Sequence, residues 1–426
     1  MKKVVKKIAL LLIVFGIGVG VTLLYTNNKY KVYDEEEPKQ IKKHVDTISM
    51  MLETEANSGN YELTTRESWP TEGYVFNSEL SVCENGSELS WDDANKTVLM
   101  SGNVSDKCYV YFDVYVPPTI ADFCNSGDTL TTCVKNFGNQ GTDMSNIYIH
   151  NSGLTNGAGD NSYRYAGASE SVNNFVCFGS TTPCPTDNLY RIIGVFGDQV
   201  KLIKYDYATS ALLGTNGDYQ GTRTPNASYY KGELTTINIY YWNKSTKKNT
   251  WSESNLNKVN LNTNFINNIG TEWAAKIAET TWKVGGNTWA NIGTQPATTA
   301  YQNEVVNPVP GSTSSNGETE HPAKIGLMYA SDYGFAAAPS AWTANLNNYS
   351  GEAIKNVNWM YMGFDDWTIS RNADGSDRAF RVSGDGNMND YSVSYYFSAV
   401  RPSFSLLSST TYVSGSGSAS DPMVIN

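Results

Sequence analysis

The chain has 426 residues, too many for a single hydrophobic core, so two or three folded units are expected. Charged residues make up only 17% while tyrosine numbers 28 and glycine 36, which argues against intrinsic disorder and suits β-rich extracellular domains. The net charge is −11. Residues 1–33 hold six lysines and no acid, so the rest carries 25 basic against 42 acidic side chains, a balance of −17 that repels polyanions and speaks against nucleic-acid binding.

In chain order, Lys2, Lys3, Lys6 and Lys7 precede an uncharged, mainly apolar run from Ile8 to Tyr25, about 27 Å long as a helix. Acidic residues Asp34 to Glu37 follow. This pattern predicts a single-pass transmembrane anchor within residues 1–29, with the N-terminus in the cytoplasm and the bulk outside the cell membrane. A cleaved signal peptide is the alternative, but no small-x-small site follows Tyr25. Gly16 and Gly20 form a G-x-x-x-G, which makes homodimerisation through the anchor a candidate. Over residues 30–58, Ile41, Val45, Ile48 and Leu52 recur at helical spacing and predict a stalk helix.

Residues 59–117 contain the strand-like runs YVFNSELSVC, ELSWDD, KTVLMSG and KCYVYFDVYV. They predict a small β-sandwich-like module closed by Pro117-Pro118. Residues 118–173 read as a connector. From 174 onward, LYRIIGVF-GDQ-VKLIKYDY predicts a hairpin. Ser252–Ile269 and Thr271–Val284 read as helices, and 285–322 reads as a long polar insertion. Between Trp367 and Leu406, three aromatic and β-branched runs alternate with the turns ADGSD and DGNMND. In the third run Val393, Tyr395 and Phe397 are expected on one face, with Ser394, Tyr396 and Ser398 on the other.

All six cysteines lie between Cys83 and Cys184, an even number behind an export-type N-terminus, which favours disulfides. Six cysteines allow 15 pairings. Local closure within each module costs the least chain entropy and selects Cys83–Cys108, Cys124–Cys133 and Cys177–Cys184.

The order W-x-x-S-R, turn, apolar strand, G-D-G turn, strand, V-R-P over Trp367–Pro402 resembles the C-terminal core of bacterial C-type-lectin-like domains. That group includes formylglycine-generating-enzyme-like proteins and a domain of surface proteins in gut Firmicutes. KIGLMYASDYGFA and NWMYMGFDDW extend the likeness over Asn174–Leu407. The resemblance implies an α+β fold class: transmembrane helix, small all-β sandwich-like module, then a distal C-type-lectin-like α+β domain over 174–426. It also implies that the cell membrane is a bacterial one. The anchor, the absence of catalytic signatures and the aromatic, acidic loops of the distal domain lead to the expectation of a membrane-anchored extracellular recognition or adhesion protein, with a glycan or a host or envelope protein as partner. The alternatives are an extracellular enzyme on the formylglycine-generating-enzyme-like scaffold and a structural envelope component.

Catalytic signatures are sparse. Formylglycine generators use cysteines in this core, and none follows Cys184. No G-x-S-x-G, P-loop or H-E-x-x-H occurs, and the three histidines, His44, His150 and His321, fall in separate segments. Asp365, Asp366, Arg371, Arg378 and Asp385 are the charged groups from which an active site would be built. The first four, with Trp342 and Tyr391, form the candidate ligand-binding set. Trp359, Tyr361, Trp367 and Tyr396 are further ring candidates, with Trp359 and Trp367 expected in the core. No cofactor is expected apart from candidate calcium. Asn372, Asp374 and Asp377, and then Asp385, Asn387 and Asn389, alternate oxygens beside glycine as calcium loops do, and as plain β-turns also do. The E-P-N and Q-P-D sugar-binding tripeptides of animal C-type lectins are absent.

Overall fold

A computed structural model describes residues 48–102, 106–181, 183–225, 236–310 and 317–426. It divides into two compact units at Val116/Pro117. The transmembrane helix of the expected fold class finds no support. Strands and short helices make up the described chain, and no helix there is long and apolar enough to cross a membrane. The anchor expected over residues 8–25, and the stalk up to residue 47, lie outside the described residues.

The first unit contains β1 (Ile48–Glu53), β2 (Tyr61–Leu63), β3 (Tyr74–Cys83), β4 (Glu88–Asp92), β5 (Thr97–Ser101) and β6 (Cys108–Val114). The sheet runs β2-β1-β6-β3, and β4–β5 is a separate hairpin. β1 corrects the stalk helix. Ile48 and Leu52 are spaced for a helix, but Met50 between them is also buried, and only the period of two puts all three on one face. That face meets Val98, Val110 and Phe112, with Phe76 and Trp91 packed around Phe112.

Cys83 and Cys108 lie directly opposite each other in the β3–β6 register and are joined as a disulfide. For a unit with so small a core the loop closure matters, contributing about 3 kcal/mol. Changing both cysteines to alanine should lower the unit's unfolding free energy by about that amount. Limited proteolysis that cuts residues 48–116 of the variant far faster than wild type would show it, and equal rates would count against it.

In the second unit the main sheet is built from β7 (Ile147–Ile149), β8 (Tyr163–Tyr165), β9 (Phe175–Cys177), β10 (Leu189–Phe196) and β11 (Gln199–Lys204) with three late strands. Between β11 and those strands come the hairpin of β12 (Tyr219–Arg223) with β13 (Ile237–Tyr240), then β14 (Thr280–Lys283), β15 (Gly286–Asn287), β16 (Glu320–Ala323), β17 (Asp366–Asn372), β18 (Arg378–Val382) and β19 (Met388–Ser392). The late strands are β20 (Ser403–Ser405), β21 (Tyr412–Ser414) and β22 (Met423–Ile425), giving the order β20-β11-β10-β9-β22-β21 with β8 and β7 branching from β10. β10 is apolar at nearly every position because both faces are covered. At Gly194 a Cβ would collide with the Tyr163 carbonyl, so β8 reaches β10 only beside glycine. β15, β17, β18 and β19 form a second sheet, in which the last three strands meander through the two Asp/Asn-rich turns.

Several expected boundaries move. Residues 118–173 are no connector: helix α1 (Leu130–Gly138), β7 and β8 belong to the distal unit, and Cys124–Cys133 ties the start of that segment to α1. Cys177–Cys184 closes the loop after β9. The first expected helix is α2 (Leu256–Phe265), wound in π register and ending near Asn268. The second stops at Ala275, and Thr280–Lys283 turns into a strand against β16. Trp282 explains the change, since its ring enters the core and its Nε1 donates to the Ala323 carbonyl. The insertion at 285–322 is largely folded, with helix α3 (Ala297–Tyr301) burying Ala297 and Ala300. Helix α4 (Ala330–Ala336) is buried along its length. The third run of the C-terminal stretch ends as a strand at Ser392. Val393 turns inward, its N–H donating to the Asp377 carbonyl, and leaves Tyr395 and Tyr396 as neighbours on the surface instead of on opposite faces.

Candidate functional site

The charged residues proposed from the sequence have different partners. Asp366 is buried on β17 and accepts from Arg401 Nε at 2.6 Å; burial raises its carboxyl to about 6 even though Arg401 opposes the shift. Arg371, also buried, donates to the Asn249 and Glu318 carbonyls. Arg378 is exposed and faces Asp390 at 3.4 Å. Asp385 accepts from its own turn, at Asn387 N and Nδ2. Among the described residues these groups do not share one polar centre. Trp342 is fully buried, which corrects its reading as a surface residue: its Nε1 donates to the Ala337 carbonyl and its ring packs on His150 and Phe335. Trp359 and Trp367 are buried as well.

The candidate calcium loops use oxygen atoms to hold their own turns. Asn372 Oδ1 accepts from Asp374 N, and Asn372 Nδ2 donates to Asp390. Asn387 Oδ1 accepts from Ser350 N, and Asn389 Nδ2 donates to Ser383 Oγ. Asp374 and Asp377 point outward on an exposed bend. Among the described residues the one cluster of three His, Cys, Asp or Glu donors close enough for a metal is Cys124, Asp128 and Cys133, whose cysteines are already joined in a disulfide. No cofactor is shown.

Two arrangements stand out. The first is a buried charged centre. Lys201 Nζ on β11 lies 2.5 Å from Asp332 Oδ2 in α4, and the same oxygen accepts Tyr329 N. Arg164 on β8 reaches Asp160 at 2.7 Å and Asp332 Oδ1 at 3.7 Å, and Tyr301 donates to Asp160. Burial would raise the Asp160 carboxyl, but Arg164 and the hydroxyls of Ser162 and Tyr301 outweigh it and hold the group at about 2. Glu304 accepts Ser331 N at 2.7 Å and Ser370 Oγ at 2.6 Å, and complete burial pushes it up to about 7. Phe196, Tyr301 and Phe335 pack over the Arg164 guanidinium, and Trp282 and Tyr329 over the Lys201 ammonium. These groups join β8, β11, α4 and β17 from inside. The central pair is closed to a ligand: Lys201 and Asp332 are 6% and 3% exposed.

The second is at the surface. Tyr395 is 75% exposed and Tyr396 41%, and they are the two exposed aromatic residues among the described residues of the distal unit. Tyr396 lies between Tyr391, at 4.9 Å, and Tyr395, at 5.3 Å, each meeting it edge to face. Beneath them the Arg381 guanidinium sits 3.7 Å from the Tyr391 ring centre, bonded to Asp365 at 3.1 Å. Asp365 is itself fixed by Gly384 N, and Arg223 approaches it at 3.7 Å. Lys244 Nζ donates to the Ser394 carbonyl at the base of the turn. Asp365 and Tyr391 of the sequence-derived set therefore meet here, through Arg381. Tyr395 and Arg381 are additions. Two adjacent tyrosines, S-Y-Y-F, could have signalled exposure, because successive strand residues point to opposite faces and one of the two rings would then leave the core.

No protein-family model matches the chain, and no curated protein or solved structure is significantly similar to it.

Proposed function

We propose that the protein is an extracellular recognition protein and that its distal unit binds its ligand through the surface formed by Tyr391, Tyr395 and Tyr396. The observation that carries this reading is the outward pair Tyr395–Tyr396 in a unit whose other described aromatic rings are wholly or partly buried. Exposed tyrosine over a fixed arginine supplies contact area at little entropic cost, since Arg381 is already ordered by Asp365, Ser398 and Tyr391. Three local disulfides support a site of action outside the reducing cytosol. The lectin-like resemblance of the C-terminal core agrees with a binding rather than a chemical role.

The test is a binding screen of the full chain against a panel of glycans and extracellular-matrix proteins. Saturable binding to at least one member is expected. Absence of a saturable ligand across both sets would end the proposal.

A further inference from the structure

We infer that Asn216 is a self-modification site: with Gly217 it closes to a succinimide that opens to aspartate and isoaspartate, ahead of the other described Asn-Gly pairs. Three such pairs lie within the described residues, Asn85-Gly86, Asn156-Gly157 and Asn216-Gly217. In each, glycine leaves the backbone nitrogen unshielded by a side chain and able to swing towards the preceding amide. The fold ranks them, through what it does to the nucleophile, the carbonyl and the leaving nitrogen.

Water is the sole co-reactant. The Gly217 nitrogen attacks Asn216 Cγ and gives up its proton, the bond from Cγ to Nδ2 breaks, and Nδ2 departs as ammonia. Water then opens the ring at Cγ, leaving aspartate, or at the backbone carbonyl, leaving isoaspartate with the chain routed through the side chain. Either way a neutral amide becomes a carboxylate.

The nucleophile is free in one pair. Gly157 N is held by the Leu154 carbonyl at 3.2 Å and Gly86 N lies 3.5 Å from the Cys83 carbonyl, whereas no group among the described residues accepts from Gly217 N. The carbonyl is activated in the same pair. Asn264 Nδ2 donates to Asn216 Oδ1 at 2.7 Å and to the Leu213 carbonyl at 2.8 Å. The second bond fixes which end of the Asn264 amide is nitrogen, so Asn216 presents oxygen to it and keeps Nδ2 unbonded. A donor already seated on that oxygen stabilises the oxyanion formed as the ring closes. Asn85 is the opposite case: its Nδ2 donates to the Asp106 carboxylate at 3.1 Å, which ties the leaving group and sets a negative charge beside the forming oxyanion.

The turn also needs its glycine. Gly217 has φ +65°, and a Cβ there would come 2.5 Å from Asn260 Oδ1. The Asn216 carbonyl in turn accepts Asn260 Nδ2 and Tyr219 N, so the pair lies where α2 meets the start of β12. The product sets a carboxylate two residues from Asp218, a buried carboxylate that holds Lys244 N and Leu256 N.

Incubating the full chain at neutral pH, with peptide mapping that separates asparagine, aspartate and isoaspartate, tests the inference. Asn216 should convert several-fold faster than Asn85 or Asn156. Asn264→Ala should slow it about fivefold, as for losing one hydrogen bond to the developing oxyanion. A merely structural tether would give the opposite sign, since loosening the turn frees the backbone. In guanidinium chloride, where the fold no longer ranks them, the three pairs should convert at similar rates. Conversion of Asn85 or Asn156 as fast as Asn216 in the folded chain, an Asn216 lead that survives unfolding, a rate unchanged or raised by Asn264→Ala, or no conversion at Asn216 would each overturn the inference.

Discussion

Asp332→Asn should cost the distal unit about 3 kcal/mol, although the new side chain has the same shape and can still accept the Tyr329 N–H. The reason is the charge left behind. Lys201 is almost wholly buried, its ammonium bonds no other side chain among the described residues, and burial already lowers its proton affinity. Removing the carboxylate leaves Lys201 facing Arg164 with Asp160 and the largely protonated Glu304 as the remaining acids of the centre. The pair is not assumed to be worth its full Coulomb energy, since desolvation cancels much of it; breaking it from one side is what is expensive. Lys201→Met in the Asp332→Asn background should therefore recover part of the loss, because the uncompensated ammonium goes with it. Chemical denaturation of wild type, the single variants Asp332→Asn and Lys201→Met, and the double variant would show strong non-additivity. Additive losses would mean that the two residues do not form the unit described.

The other large effect concerns pH. Glu304 is raised from 4.5 to about 7 by burial, so between those values the folded chain holds a proton that the unfolded chain releases. The stability tied to that proton is fully present below pH 4.5 and is lost as pH rises through about 7, a total of about 3 kcal/mol. Glu304→Gln carries no titrating proton. Its amide oxygen can keep the Ser331 N–H, and its NH₂ can donate to Ser370 Oγ. The variant should match wild type near pH 4 and exceed it by up to about 3 kcal/mol above pH 8. Asp366, raised to about 6, pushes both chains in the same direction, so the difference between them isolates Glu304. Unfolding curves whose difference does not change with pH would refute the assignment.

Much of the architecture is legible in the chain because the signals are local. The Gly197-Asp198 hairpin and the two Asp/Asn-rich turns have short-range chemistry that tertiary contacts did not override. Cysteines seven to 25 residues apart close small loops, so proximity in sequence points to proximity in space. Where the reading failed, the deciding contact was distant. Ile48–Glu53 is a strand because β6, some 60 residues on, pairs with it in parallel. Trp342 looked like a surface ring near a loop, but its pocket is made by Tyr148, His150 and Phe335. Glu304 sits in QNEVV, which reads as a polar surface, and nothing local announces that Ser331 and Ser370 surround it.

The site was legible only in part for the same reason. Tyr391 and Asp365 were visible as a ring and a charge near turns, whereas Arg381, which joins them, looked like an ordinary strand residue. Tyr395 was assigned to the face of Val393 and Phe397, opposite Tyr396, by extending a period of two past Ser392, where the strand stops.

The central claim, that the distal unit recognises its ligand through Tyr395 and Tyr396, is tested most directly by calorimetric affinities of wild type and the Tyr395→Ala/Tyr396→Ala variant for the tightest ligand found in the binding screen. The account predicts a loss of about tenfold or more, with thermal unfolding of the variant unchanged because both rings are outside the core. Equal affinities of the two chains would contradict it.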